Sequence, residues 1–212
     1  MEAGVFLALN ESTPPDLIVQ AAQAVEERGF HAIWVPEHVV LFDEYESKYP
    51  YSPDGRIGNY GKGMMEPFTA LTYLAAHTSK VRLGTAICLV TQRNPIYTAK
   101  QVADVDYLSG GRVNFGIGLG WLREEFAALN VPFEKRGKRA NEHIAVMKAL
   151  WCQEVSKFHG ELYNLQSCVM YPKPIQTPHP PIFVGGEGDH ALNRVAALAQ
   201  GWLGASMEPE VI

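Results

Sequence analysis

Val81-Arg82-Leu83-Gly84-Thr85-Ala86-Ile87 is a short apolar run that leads through Pro95 into Ile96, Ala99, Val102, Val105 and Leu108, spaced as on a helix until Gly110-Gly111. A second apolar run follows at once over residues 112–116. Runs of this length read as buried strands, and Pro95 stands at a helix start, where its missing N–H costs nothing. The stretch is one strand–helix–strand unit. Toward the N-terminus the alternation continues, with Gly4-Val5-Phe6-Leu7-Ala8-Leu9 as a strand buried on both faces of a parallel sheet. Leu17, Ile18, Ala21, Ala22 and Val25 carry a helix that stops at Arg28-Gly29, Ala32-Ile33-Trp34-Val35 is the second strand, and residues 68–78 are the second helix. Toward the C-terminus residues 136–151 form a long helix with Ile144, Met147, Ala149 and Leu150 inward. Pro181-Ile182-Phe183-Val184 is the fifth strand, residues 191–199 a helix, Trp202-Leu203-Gly204-Ala205 the sixth strand, and residues 206–212 the first turn of another helix.

Six strand beginnings in unbroken alternation with helices predict a parallel sheet with helices outside it. Periodicity alone fits both a barrel and an open doubly wound sheet. The expected organisation is one domain over residues 1–212, with a long polar loop at 42–65 after the second strand and an insertion at 155–180. That insertion opens as a hairpin turning at Gly160 and continues as a proline-rich loop. The 212 residues can bury one sizeable core but fall short of the roughly 250 residues of an eight-unit barrel.

A net charge of −5 without a basic cluster argues against a nucleic-acid partner. No apolar run approaches the roughly 20 residues that span a bilayer, so no membrane association and a cytoplasmic location are expected. Cys88, Cys152 and Cys168 lack CxxC spacing and a paired histidine motif, which predicts neither a disulfide framework nor a metal site.

In parallel α/β architectures ligands bind beyond the carboxyl ends of the strands, which selects a short set of residues. Glu37-His38 follows the second strand directly and offers a carboxylate and an imidazole that can donate a hydrogen bond or a proton near neutral pH. Gly84-Thr85-Ala86 lies late in the third strand, where a glycine marks a bulge, a close backbone approach or simple sheet twist. Gly116-Ile117-Gly118-Leu119-Gly120 ends the fourth strand with alternate glycines, without the GxGxxG frame of a dinucleotide site. Gly185-Gly186 ends the fifth, where a helix start could hold a phosphate or the chain could simply turn. Arg93 and Glu124-Glu125 read as solvated loop charge and helix-start acid, and Arg136 and Arg139 as helix-face ion-pairing groups.

Taken together, Ile33-Trp34-Val35-Pro36-Glu37-His38, Leu83-Gly84-Thr85, Arg93-Asn94-Pro95 with Lys100-Gln101, and Leu108-Ser109-Gly110-Gly111-Arg112 resemble the luciferase-like monooxygenase superfamily. The most specific stretch is Gly116-Ile117-Gly118-Leu119-Gly120-Trp121-Leu122-Arg123-Glu124-Glu125-Phe126, and the likeness is narrower to the coenzyme F420-dependent branch. The resemblance implies a (β/α)8 TIM barrel, here lacking its last βα units, usually dimeric, which binds reduced F420 or reduced FMN and a small-molecule substrate. It places Glu37 and His38 against the cofactor ring, with His38 catalytic. It sets a bulge around Thr85-Ala86, often with a non-prolyl cis bond, behind the ring. Gly118 and Gly120 fall near ring and tail, and Gly185, Gly186 and Ser206 near the phosphate. Sugar-phosphate dehydrogenases of the family carry an acid where this chain has Trp121, which favours a more apolar substrate. With F420 the implied step is hydride transfer, and with FMN it is monooxygenation. The missing barrel end exposes the edges of the first and sixth strands, which predicts a truncated product, closure through a partner chain or a rearranged oligomer. It also supports a different reading, a non-catalytic flavin- or deazaflavin-binding or assembly subunit.

Overall fold

A computed structural model describes residues 2–58 and 62–205. In chain order the elements are β1 (Gly4–Phe6), α1 (Pro15–Glu27), β2 (Ala32–Val35), α2 (Pro67–His77), β3 (Arg82–Thr85), β4 (Cys88–Leu89), α3 (Pro95–Ser109) and β5 (Val113–Gly118). There follow α4 (Arg123–Ala128), α5 (Arg136–Cys152), β6 (Ser156–His159), β7 (Asn164–Cys168), β8 (Ile182–Gly185), α6 (Asp189–Leu198) and β9 (Gly201–Leu203). The main sheet is parallel throughout, in the order β1-β2-β3-β5-β8-β9 with β4 also on β5, and it curls as a half-barrel. Strands β6 and β7 form a separate antiparallel hairpin between α5 and β8.

The alternation of side chains along each strand explains both faces of this sheet. Ile33, Val35, Leu83, Val113, Phe115, Ile117, Ile182 and Val184 point outward into a core shared with Ile18, Ala22, Leu71, Leu74, Val102, Ile144, Met147 and Leu150 of the covering helices. The concave face alternates large rings with glycines. Trp34 stands beside Gly84 in register, and a Cβ on Gly84 would lie 2.3 Å from the indole, so glycine there makes room for the tryptophan. Phe183 takes the same place beside Gly201, and the Trp34 and Phe183 rings meet edge to face at 5.4 Å.

Several elements differ from the sequence expectation. The first strand ends at Phe6 rather than Leu9, and it is not buried on both faces. Among the described residues it pairs only with β2, and Phe6, on the concave side, is 48% exposed. The apolar stripe of α3 runs through Thr98, Ala99, Val102, Ala103, Val105, Asp106 and Ser109, while Ile96 and Leu108 face outward. Leu17 of α1 is likewise exposed. The short strand β4 has no counterpart in the sequence expectation, and α4 is foreshadowed only by its helix-start acids Glu124 and Glu125. The further helix turn anticipated over 206–212 lies outside the described residues.

Asp106 shows how the proline-rich segment is fastened. Its buried carboxylate accepts the backbone N–H groups of Ile175 and Gln176 at 2.8 and 3.0 Å and the Gln176 side-chain amide at 2.7 Å. Among the described residues no helix is long and apolar enough to cross a membrane.

Candidate functional site

Because the strands are parallel, their carboxyl ends open on one side. There Pro36-Glu37-His38 after β2, Ala86-Ile87 after β3, Leu119-Gly120-Trp121 after β5, Gly185-Gly186 at the end of β8 and Gly204-Ala205 after β9 line one cleft of about 530 Å3. Tyr49, Tyr51 and Ile57 from the long loop and Glu187, His190 and Arg194 from the α6 side complete its wall. The Ala86-Ile87 peptide is cis. A second cavity of about 750 Å3 shares Leu119, His190 and Arg194 with the cleft and adds Lys135, Arg136 and Lys138.

Two buried charged clusters stand behind His38 and Glu37. The Glu37 carboxylate accepts the Leu89 N–H at 2.6 Å and is ion-paired with Arg93, which also holds Glu66 at 2.8 Å and Gln101 at 2.9 Å and stacks on the Phe68 ring. Burial pushes the Glu37 carboxyl above its ordinary range, with the Arg93 guanidinium and the Leu89 N–H pulling the other way. His38 is 7% exposed; its Nδ1 lies 2.9 Å from Glu125 Oε2, and its Nε2 accepts the Trp121 indole N–H at 3.3 Å. Burial alone would raise the Glu125 carboxyl, but bonds from His38, Gln92 and the Val39 N–H hold it below the usual carboxylate range.

The long loop is tied to the same helix. Glu124 accepts the Glu46 and Ser47 N–H groups at 2.7 and 3.1 Å, while Ser47 Oγ accepts the Arg123 N–H at 3.0 Å. Despite opposition from desolvation, the Ser47 side chain and the Glu124, Glu46 and Ser47 N–H groups hold the Glu124 carboxyl down at about 2. Tyr45 and Tyr49 meet the Trp121 ring edge-on at 5.7 and 5.2 Å, so the loop presents aromatic rings along the rim.

Of the residues expected at the site, Glu37, His38, Ala86, Gly120, Gly185 and Gly186 line the cleft together. Thr85 lies behind the lining, where its hydroxyl donates to the Gly116 carbonyl at 2.6 Å. Gly118 also lies behind it, with the Ile87 side chain filling the space a Cβ would need. Ser206 lies outside the described residues.

The sequence reading missed the roles of Glu125, taken as helix-start acid, and of Arg93, taken as solvated loop charge. For Glu125 a signal existed, since Leu122, Glu125 and Phe126 share one helix face and the two apolar members demand burial. Arg136 and Arg139 also depart from expectation. Arg136 stacks 3.5 Å over Phe133 and donates to its carbonyl, and Arg139 donates to the Pro132 and Glu134 carbonyls; neither makes an ion pair among the described residues. No group of three or more His, Cys, Asp or Glu among the described residues is placed to hold a metal ion, and no lysine lines the cleft.

A parallel half-barrel with its cleft at the carboxyl ends of the strands defines an α/β barrel protein. The chain belongs to the luciferase-like monooxygenase family, whose model matches residues 1–211. An uncharacterized protein of Mycobacterium tuberculosis is 36% identical over 193 residues, covering 91% of this chain and 66% of that protein. The FMNH(2)-dependent dimethylsulfone monooxygenase of Pseudomonas putida is 35% identical over 140 residues, covering 65% of this chain and 38% of that protein. The F420-dependent glucose-6-phosphate dehydrogenase of Kineococcus radiotolerans is 29% identical over 202 residues, covering 93% and 55%. Among solved structures, the monooxygenase RslO1 from Streptomyces bottropensis matches with a TM-score of 0.80 at 25% identity, over 100% of this chain and 62% of that one. The chain thus spans between 38% and 66% of the length of these relatives.

Proposed function

We propose that this chain forms the cofactor cleft of a luciferase-like oxidoreductase that uses reduced coenzyme F420, with His38 as catalytic residue and a small, largely apolar organic molecule as substrate. The observation that carries the reading is the buried His38 imidazole on the wall of a glycine- and aliphatic-lined cleft at the strand ends. A volume of about 530 Å3 falls within the roughly 300–1,000 Å3 of small-molecule sites. Gly120 and Gly186, at φ 75° and 111°, put bare backbone on the lining where other residues would be strained, and a flat ring system fits such a surface. Ala86, Ile87 and Gly120 would hold the ring, and Gly185, Gly186 and Ser206 the phosphate. Arg194 on the cleft wall, with Lys135, Arg136 and Lys138 of the adjoining cavity, would supply counter-charge.

Reduced F420 would supply a hydride, and reduced FMN, the second candidate, would supply oxygen activation. F420 stands first because the relative named for it aligns with 93% of this chain, against 65% for the FMNH(2)-dependent one. His38 then holds or moves a proton at Nε2, and Glu37, fixed by Arg93, keeps the strand end and its backbone in place. Trp121 and Tyr49 favour a substrate with an apolar body over a sugar phosphate. The working form is proposed as a homodimer, with the exposed Tyr97, Tyr107 and Leu108 of α3 as interface candidates.

Titration of the purified protein with F420 and with FMN, each oxidised and reduced, tests this reading. Micromolar binding of one selects the branch. Binding of neither removes the enzyme reading, and binding without turnover on any substrate panel selects a non-catalytic binding subunit.

A further inference from the structure

We infer that Glu125 is the positioning residue that fixes His38 in its Nδ1–H tautomer, so that Nε2 faces the cleft as an acceptor for an O–H or N–H of the substrate. The inference rests on the cleft being the active site. It follows from which groups can donate and which can only accept. Glu125 is completely buried, and its oxygens are met by the Val39 N–H at 2.7 Å, the Val40 N–H at 3.4 Å and the Gln92 side-chain amide at 2.9 Å, besides His38 Nδ1 at 2.9 Å. The Val39 and Val40 N–H groups can only donate, and the bonds converging on the carboxyl hold it below the usual carboxylate range, so the group is ionised at neutral pH. An ionised carboxylate has no proton to give. The hydrogen between Glu125 and His38 therefore sits on Nδ1.

The other ring nitrogen gives the same answer independently. The Trp121 indole N–H can only donate, and it points at His38 Nε2 from 3.3 Å, so Nε2 carries a lone pair. An imidazolium would set N–H against N–H there. Trp121 and His38 both line the cleft, so the indole marks the direction in which Nε2 is open to a donor. A substrate hydroxyl or amine N–H that reached Nε2 would take the place of the indole donor. Sequence position hides this arrangement, because His38 follows β2 while Glu125 lies on α4, 87 residues away.

Glu125 could instead serve only to tie down the backbone at Val39 and Val40. The Glu125→Gln variant separates the two roles. It has the same shape and keeps an oxygen for the Val39 N–H, but its amide offers a donor to Nδ1 and so drives the ring to the Nε2–H tautomer. Histidine labelled with 15N and read by two-bond proton–nitrogen correlation at neutral pH reports the tautomer without any turnover. The expected result is a protonated Nδ1 and a pyridine-type Nε2 for His38 in the wild-type protein, inverted in Glu125→Gln.

A wild-type His38 found as the Nε2–H form or as imidazolium overturns the inference. So does an unchanged tautomer in the variant. If the variant does not fold, the wild-type spectrum alone decides. In the cofactor-bound protein Glu125→Gln should lower kcat on the order of 10²- to 10⁴-fold with cofactor Kd unchanged, the scale on which a misplaced tautomer acts. His38→Ala/Glu125→Gln should be no slower than His38→Ala, and additive losses would overturn the coupling. Failure of wild-type cofactor binding would sink the cleft reading while leaving the tautomer measurement valid.

Discussion

Two acidic side chains with opposite surroundings flank His38. Glu37 is buried against a guanidinium and drawn upward by desolvation, whereas Glu125 is held down by hydrogen bonds. Breaking a buried pair such as Glu37–Arg93 strands a charge and costs about 3–5 kcal/mol, so substitutions there report on stability before chemistry. His38 is the cleaner probe. His38→Ala is expected to reduce turnover by roughly 10²- to 10⁴-fold while cofactor affinity stays within about twofold. Steady-state kinetics beside a binding titration checks this, and unchanged turnover would remove His38 from the chemistry. Glu37 and His38 were legible in the sequence because a strand end is a place the sequence itself marks. Glu125 was legible only as a buried position on the face of Leu122 and Phe126; its partner His38, like the Glu37 partner of Arg93, lies on a distant element that local spacing does not record.

At the scale of elements, much of the order comes from carboxylates that gather backbone N–H groups. Glu26, on α1, accepts the N–H groups of Ser79, Lys80 and Val81 at 2.6–3.1 Å and so fastens the approach to β3. Burial opposes the shift, but these bonds lower its carboxyl from 4.5 to about 2. A lowered folded-state value stabilises above about 4.5, and that contribution is lost as the pH falls through about 2. Glu26→Gln should therefore lower Tm by a few degrees at pH 7 and flatten its fall between about pH 4.5 and 2, as followed by thermal melts across that range.

Gly84→Ala tests the ring-and-glycine packing of the concave face. The added methyl would meet the Trp34 indole at 2.3 Å, and overpacking of that kind costs about 1–3 kcal/mol in chemical denaturation. An unshifted midpoint would mean that Trp34 does not occupy this place. The strands and long helices were readable from periodicity. The inward stripe of α3 was misjudged at its two ends because Thr98, Asp106 and Ser109 are buried polar residues, which a hydrophobic count passes over.

For the whole molecule, alternation foretold the parallel sheet but not its curl, since a barrel and an open sheet share one pattern. Strand order settles it: β1-β2-β3-β5-β8-β9 runs one way through the sheet, as in a barrel, where a doubly wound sheet reverses at a switch point. The cleft joins the ends of β2, β3, β5, β8 and β9, so a ligand there bridges most of the sheet. The cofactor at a hundred times its Kd should stabilise the fold by about 2.7 kcal/mol, and a concentration-dependent rise in Tm checks this. No rise with either F420 or FMN at that saturation would count against the site.

Adjacent residues of α4 reach different partners, Glu124 grasping the aromatic loop and Glu125 the imidazole and the backbone after it. A helix of six residues is too short to let one grip move and keep the other in place. Loop and helix are consequently a single unit of exchange. A loop transplanted from a relative to change which molecules enter will work only if its own copy of α4 travels with it.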